Sequence, residues 1–66
     1  MRAHWPSGEE VKDSELTTEQ WATIANLIER HDNITLPVEI QPGMGYVGVM
    51  AGNMFIGVEP DGHSHT

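Results

Sequence analysis

His63 and His65 stand two residues apart, with Ser64 between them and Asp61 just before. In extended backbone both imidazoles project to the same side, a spacing that can serve a metal ion. Asp61, His31 or His4 would supply further ligands. A zinc site needs three or four fixed ligands, and a polar tail fixes none, so the sequence predicts no metal centre and no cofactor. Ser64 has a histidine on each side, yet a nucleophilic triad is assembled by tertiary positioning, and no oxyanion turn is visible. The carboxylate pairs Glu9/Glu10 and Glu15/Glu19 could divide acid and base roles only in a cleft that keeps one protonated and the other ionised. So short a chain builds such a cleft only between subunits.

Gly43-x-Gly45-x-x-Gly48 matches the dinucleotide-binding fingerprint letter for letter. The fingerprint works where a strand enters it and a helix leaves it, because the helix N-terminus holds the pyrophosphate. Here a strand leaves it. A kinase-type glycine loop does lie in a hairpin, but the lysine, aspartate and second lobe it requires have no room. The expectation is a protein that is not an enzyme.

Ten Asp and Glu against three Lys and Arg give 66 residues a formal charge of −7. That balance opposes phosphate backbones and anionic lipid, so direct nucleic-acid binding is not expected. The opening "MRAHWPSGEEVKDSE" has no apolar run and reads as neither signal nor transit peptide. No stretch approaches the roughly 20 apolar residues of a membrane-spanning helix. The expectation is a soluble protein in the cytoplasm, in keeping with the absence of cysteine. A domain this small buries only about 60% of its unfolded surface, and it has no disulfide to staple it. Self-association is the route to added stability that the composition favours.

The elements that must position these residues are legible in part. Residues 1–15 are polar and acidic, contain Pro6 and Gly8, and predict a flexible arm in which the indole of Trp5 is the exception. Thr17 and Gln20 form a capping box, with Leu16 and Trp21 at the staple positions. Trp21, Ile24, Ala25 and Ile28, with Leu27 beside them, follow the spacing of one buried stripe, predicting an amphipathic helix over about 18–31. Alternation of Ile34, Leu36, Val38 and Ile40 predicts a strand over about 34–40, which lies at a sheet edge or presents Pro37 to solvent, because Pro37 cannot donate to a ladder.

Two further strands are expected over about 45–51 and 54–59, joined by a two-residue turn at Gly52-Asn53. That turn pairs 51 with 54, 50 with 55, 49 with 56, 48 with 57 and 47 with 58. Val47, Val49, Ala51, Met54, Ile56 and Val58 then form an aliphatic inner face for the helix. Tyr46, Gly48, Met50, Phe55, Gly57 and Glu59 stand on the outer face, with the two glycines opposite each other. A glycine gap rimmed by Tyr46, Met50 and Phe55 marks a place where another backbone or a ligand approaches closely. The expected occupant is another chain, with Trp5 of the same chain as the competing one.

The fold expectation is therefore α+β: an acidic arm (1–15), one domain (16–60) with the helix packed on a three-stranded antiparallel meander, and a polar tail (61–66). The functional expectation is a small interaction module that forms a homo-oligomer through Tyr46, Gly48, Met50, Phe55, Gly57 and Trp5, binds protein partners, and acts as an accessory or inhibitory protein. A second reading makes the cluster Glu9, Glu10, Asp13, Glu15 and Glu19 an imitation of a phosphate backbone that blocks a nucleic-acid-binding protein. A third is a small enzyme or metal-binding protein with a site shared between subunits.

Overall fold

A computed structural model describes residues 2–66. The capping box forms as the sequence requires: the Gln20 backbone N–H donates to Thr17 Oγ1 at 3.0 Å and the Thr17 N–H donates to Gln20 Oε1 at 2.9 Å. Helix α1 runs Thr18–Arg30 and closes with the His31 N–H donating to the Leu27 carbonyl. Its buried residues are Gln20, Ile24 and Leu27, while Trp21, Ala25 and Ile28 are half-buried. The stripe is thus rotated toward a polar residue. Gln20 is buried because its amide donates to the backbone carbonyl of Val58 at 3.2 Å.

The expected three-stranded meander is a five-stranded mixed sheet, in the order β1 (Ala3–His4), β2 (Val38–Pro42), β3 (Val47–Ala51), β4 (Met54–Val58), β5 (Ser64–His65). The two extra strands come from the segments expected as arm and tail. β1 pairs in parallel with β2, Ala3 opposite Val38 and His4 opposite Glu39. A tight return through Gly8 brings the Val11 N–H to the Ala3 carbonyl at 2.9 Å, so Ala3 and Val11 both enter the core. β5 pairs antiparallel with β4, Gly57 opposite His65 and Val58 opposite Ser64.

The central hairpin has the expected register at all five pairs, from Val47 opposite Val58 to Ala51 opposite Met54. Gly52 takes φ 64° in its turn, the conformation a type II′ hairpin demands of its first residue. β2 differs from expectation, starting at Val38 rather than Ile34. Pro37 has no N–H to offer, and Val38 is the first residue to donate across, to the Arg2 carbonyl. Ile34 is buried but Leu36 is 60% exposed, so the alternation before Val38 is not that of a strand. β2 is not an edge, since β1 and β3 flank it, and Pro37 is instead exposed to solvent just ahead of it.

Val38, Ile40, Val49 and Val58 pack with Ile24 as the most deeply buried side chains. Met54, expected on this aliphatic face, is 39% exposed at the hairpin end. Three side-chain bonds fix the helix start to the end of the sheet: Gln20 to Val58, Thr17 Oγ1 to the Pro60 carbonyl and Thr23 Oγ1 to the Gly62 carbonyl. Gly62 has φ 89°, and a Cβ there would lie 3.0 Å from the Glu19 carbonyl oxygen. No helix among the described residues is long and apolar enough to cross a membrane.

Gln20→Ala removes both the acceptor that closes the capping box and the donor to Val58. The expected loss is about 2 kcal/mol, read as a lower urea midpoint. Thr18→Ala, at an exposed neighbouring position, should shift stability by less than about 0.5 kcal/mol. Equal midpoints for Gln20→Ala and wild type would show that the bridge adds nothing.

Candidate interaction face

Helix α1 covers one face of the sheet, and strand alternation assigns the other face its residues. Opposite the buried Ala3, Val38, Ile40 and Val49 stand His4, Glu39, Gln41 and Met50, with Gly48, Phe55, Gly57 and His65 continuing the face across β3 to β5. One row crosses four strands as Gln41, Gly48, Gly57 and His65.

The glycines of this face are seats for rings. A Cβ on Gly48 would collide with the Phe55 ring, and one on Gly57 would lie 3.0 Å from the His65 ring. In the turn between β2 and β3, a Cβ on Gly43 would come within 2.6 Å of Tyr46. The expected gap is therefore filled from within the chain, by Phe55 and His65. Trp5 instead packs against the core. A side chain on either strand glycine would lift its ring off the sheet, which is why the two glycines lie opposite each other.

The rings also meet one another. Tyr46 and Phe55 contact edge to face with centroids 6.5 Å apart, Tyr46 lies 6.4 Å from His65, and His63 lies 6.2 Å from His65. His65 Nε2 is 2.9 Å from Glu59 Oε2, which fixes the imidazole at the β5 edge. Phe55 remains 41% exposed, and Tyr46 and Met50 are half-buried. Strands β2 to β5 contain no Lys or Arg, so the charges bordering this apolar centre are the carboxylates of Glu39 and Glu59.

The remaining candidates lie elsewhere. Glu9, Glu10, Asp13, Glu15 and Glu19 are all exposed, on the first hairpin, a 3₁₀ turn at Asp13–Glu15 and the first turn of α1. Glu15 Oε1 accepts from the Lys12 N–H, and the Asp13 carbonyl accepts from the Trp21 indole. Gly43 and Gly45 lie in a turn and Gly48 in β3, with no helix following. The His63 N–H donates to Asp61 Oδ1, which closes the turn at Pro60-Asp61-Gly62. Among the described residues no three His, Cys, Asp or Glu side chains are grouped to hold a metal ion. Sequence reasoning missed His65 and Gln41 as members of the face. The same-side spacing of His63 and His65 carried the signal, once Pro60-Asp61-Gly62 is read as a turn that brings the chain back.

No protein-family model matches this chain, and neither a curated protein nor a solved structure is similar to it.

Gly48→Ala should destabilise the protein by about 1–3 kcal/mol, because the added methyl must displace Phe55. In a Phe55→Ala background the same substitution should cost close to nothing, giving a coupling of about 1–3 kcal/mol in a double-mutant cycle by chemical denaturation. Additive costs would show that Phe55 does not sit on Gly48.

Proposed function

We infer that this chain is a non-enzymatic interaction module that self-associates through its uncovered sheet face, in the role of an accessory or inhibitory protein. The observation that carries the reading is the asymmetry of the sheet. One face is closed by α1, while the other presents Phe55, Tyr46 and Met50 on rings and strands already held in place. Little side-chain freedom is left to lose on contact, which favours binding. An apolar aromatic centre with carboxylates at its border is the anatomy of a protein interface, whose core is apolar and whose rim is polar.

A second copy is the occupant the size of the chain favours, because joining two faces adds the apolar burial that a small domain lacks. The formal charge of −7 sets the salt dependence. Two like-charged copies repel, so screening should strengthen their association. Imitation of a phosphate backbone by Glu9, Glu10, Asp13, Glu15 and Glu19 predicts the reverse, because attraction to a basic groove weakens with salt.

Light scattering over a concentration series tests the reading, at about 0.05 M and about 0.5 M salt. The expected result is a dimer whose dissociation constant falls as salt rises, with Met50→Lys shifting the protein to folded monomer. Met50 covers no glycine, so the substitution leaves the ring seats intact. A wild type that stays monomeric at every concentration and salt would sink the self-association claim.

A further inference from the structure

At the corner where β1 and β2 meet the chain after α1, the uncovered face dips into a cavity of about 260 Å³. Its walls are His4 from β1, Glu39 from β2, Met50 from β3, and Asn33 and Thr35 from the segment that follows the helix. That segment is held in place by the Gly52 N–H, which donates to the Asn33 carbonyl at 3.2 Å.

The hydrogen bonds around the cavity fix what its polar walls can still do. His4 Nδ1 lies 2.9 Å from the Trp5 carbonyl oxygen. A carbonyl only accepts, so in the neutral ring Nδ1 carries the proton and Nε2 is left as an acceptor. Glu39 Oε2 accepts from the Gln41 amide at 3.1 Å, which orients the carboxylate and leaves Oε1 without a protein donor among the described residues. Thr35 adds a hydroxyl and Asn33 an amide, each able to accept as well as donate. Beside these polar groups stands the apolar side chain of Met50.

We propose that this cavity binds the guanidinium group of an arginine side chain belonging to another polypeptide. An oriented carboxylate beside an imidazole acceptor favours a cation that donates in several directions, and guanidinium offers five N–H donors in a plane with no acceptor. Its fork matches the oriented carboxylate of Glu39, the outer N–H groups reach the imidazole and loop oxygens, and the flat, weakly hydrated face lies on Met50. A compact ammonium also donates three ways, but it has no planar fork for the carboxylate, no flat face for Met50 and a stronger hold on its own water. The volume is below the usual range for cofactor pockets, about 300–1,000 Å³, and suits one side chain. The site shares Met50 and Glu39 with the proposed contact face but does not rest on self-association, and its readout, amide shifts on titration, differs from the solution mass.

The test is a titration of isotopically labelled protein with N-acetyl-arginine amide, followed by backbone amide shifts. Saturable shifts are expected at His4, Glu39, Met50 and Gly52. N-acetyl-citrulline amide, similar in shape but uncharged, and N-acetyl-lysine amide should each bind about tenfold more weakly or worse. Glu39→Gln should weaken arginine binding by about tenfold or more, while Glu59→Gln, which removes the same charge elsewhere on the face, should change it by less than about threefold. Free arginine, whose own carboxylate meets Glu39, should bind less well than the capped form. If Glu39→Gln fails to give a folded spectrum, Thr35→Val serves as the second variant, with weaker binding expected. Shifts confined to residues 9–19, equal affinity for citrulline or lysine, or unchanged binding in the folded variant would each overturn the assignment.

Discussion

A single buried amide ties the two halves of this molecule together. Gln20 accepts from the Thr17 N–H with its oxygen and donates to the Val58 carbonyl with its nitrogen, so the cap of the helix and the end of a central strand share one side chain. With both ends bonded in a buried site, losing either partner leaves an unsatisfied group, and the geometry is correspondingly well defined. Thr17 and Thr23 repeat the device on the turn that follows, at the Pro60 and Gly62 carbonyls. The helix is therefore placed by its first two turns. Aliphatic packing of Ile24 and Leu27 then fills the space below it.

The same turn determines the other face. By holding residues 59–63 against the helix, it returns the chain along β4 and sets His65 over Gly57. Phe55 reaches Gly48 from the neighbouring strand, and Tyr46 stands between the two rings. A sheet face that seldom needs glycine here uses two of them, at a cost in strand propensity of about 1 kcal/mol or less each. What it gains is a set of rings seated close against the backbone, with their exposed surfaces fixed before anything touches them.

Much of the core architecture was legible in the chain. Thr17 and Gln20 announce the helix start, and Gly52-Asn53 between two aliphatic runs sets the hairpin register, because both signals are local. The strands at the two edges were not legible, for a physical reason: Ala3–His4 and Ser64–His65 have two residues each, too few for any period to show. β1 is also held by a partner more than thirty positions away, which no window along the sequence connects. The alternation of Ile34, Leu36 and Val38 misled in the other direction, since a pattern of side chains cannot supply the N–H that Pro37 lacks. Glycines 48 and 57 were read as a gap for another backbone or a ligand, whereas Phe55 and His65 of the same chain lie over them, because composition alone does not say whose atoms approach.

Short edge strands have a consequence of their own. A ladder with a long free rail invites a stranger's backbone to copy its hydrogen bonds, which is how sheets polymerise into fibres. Here one edge strand is two residues long and has residues 9–11 folded along it, and the other, also two residues long, lies along Gly57 and Val58. The molecule is poorly shaped for growth by stitching strand to strand. The proposed broadside contact between sheet faces would instead close on itself after two copies.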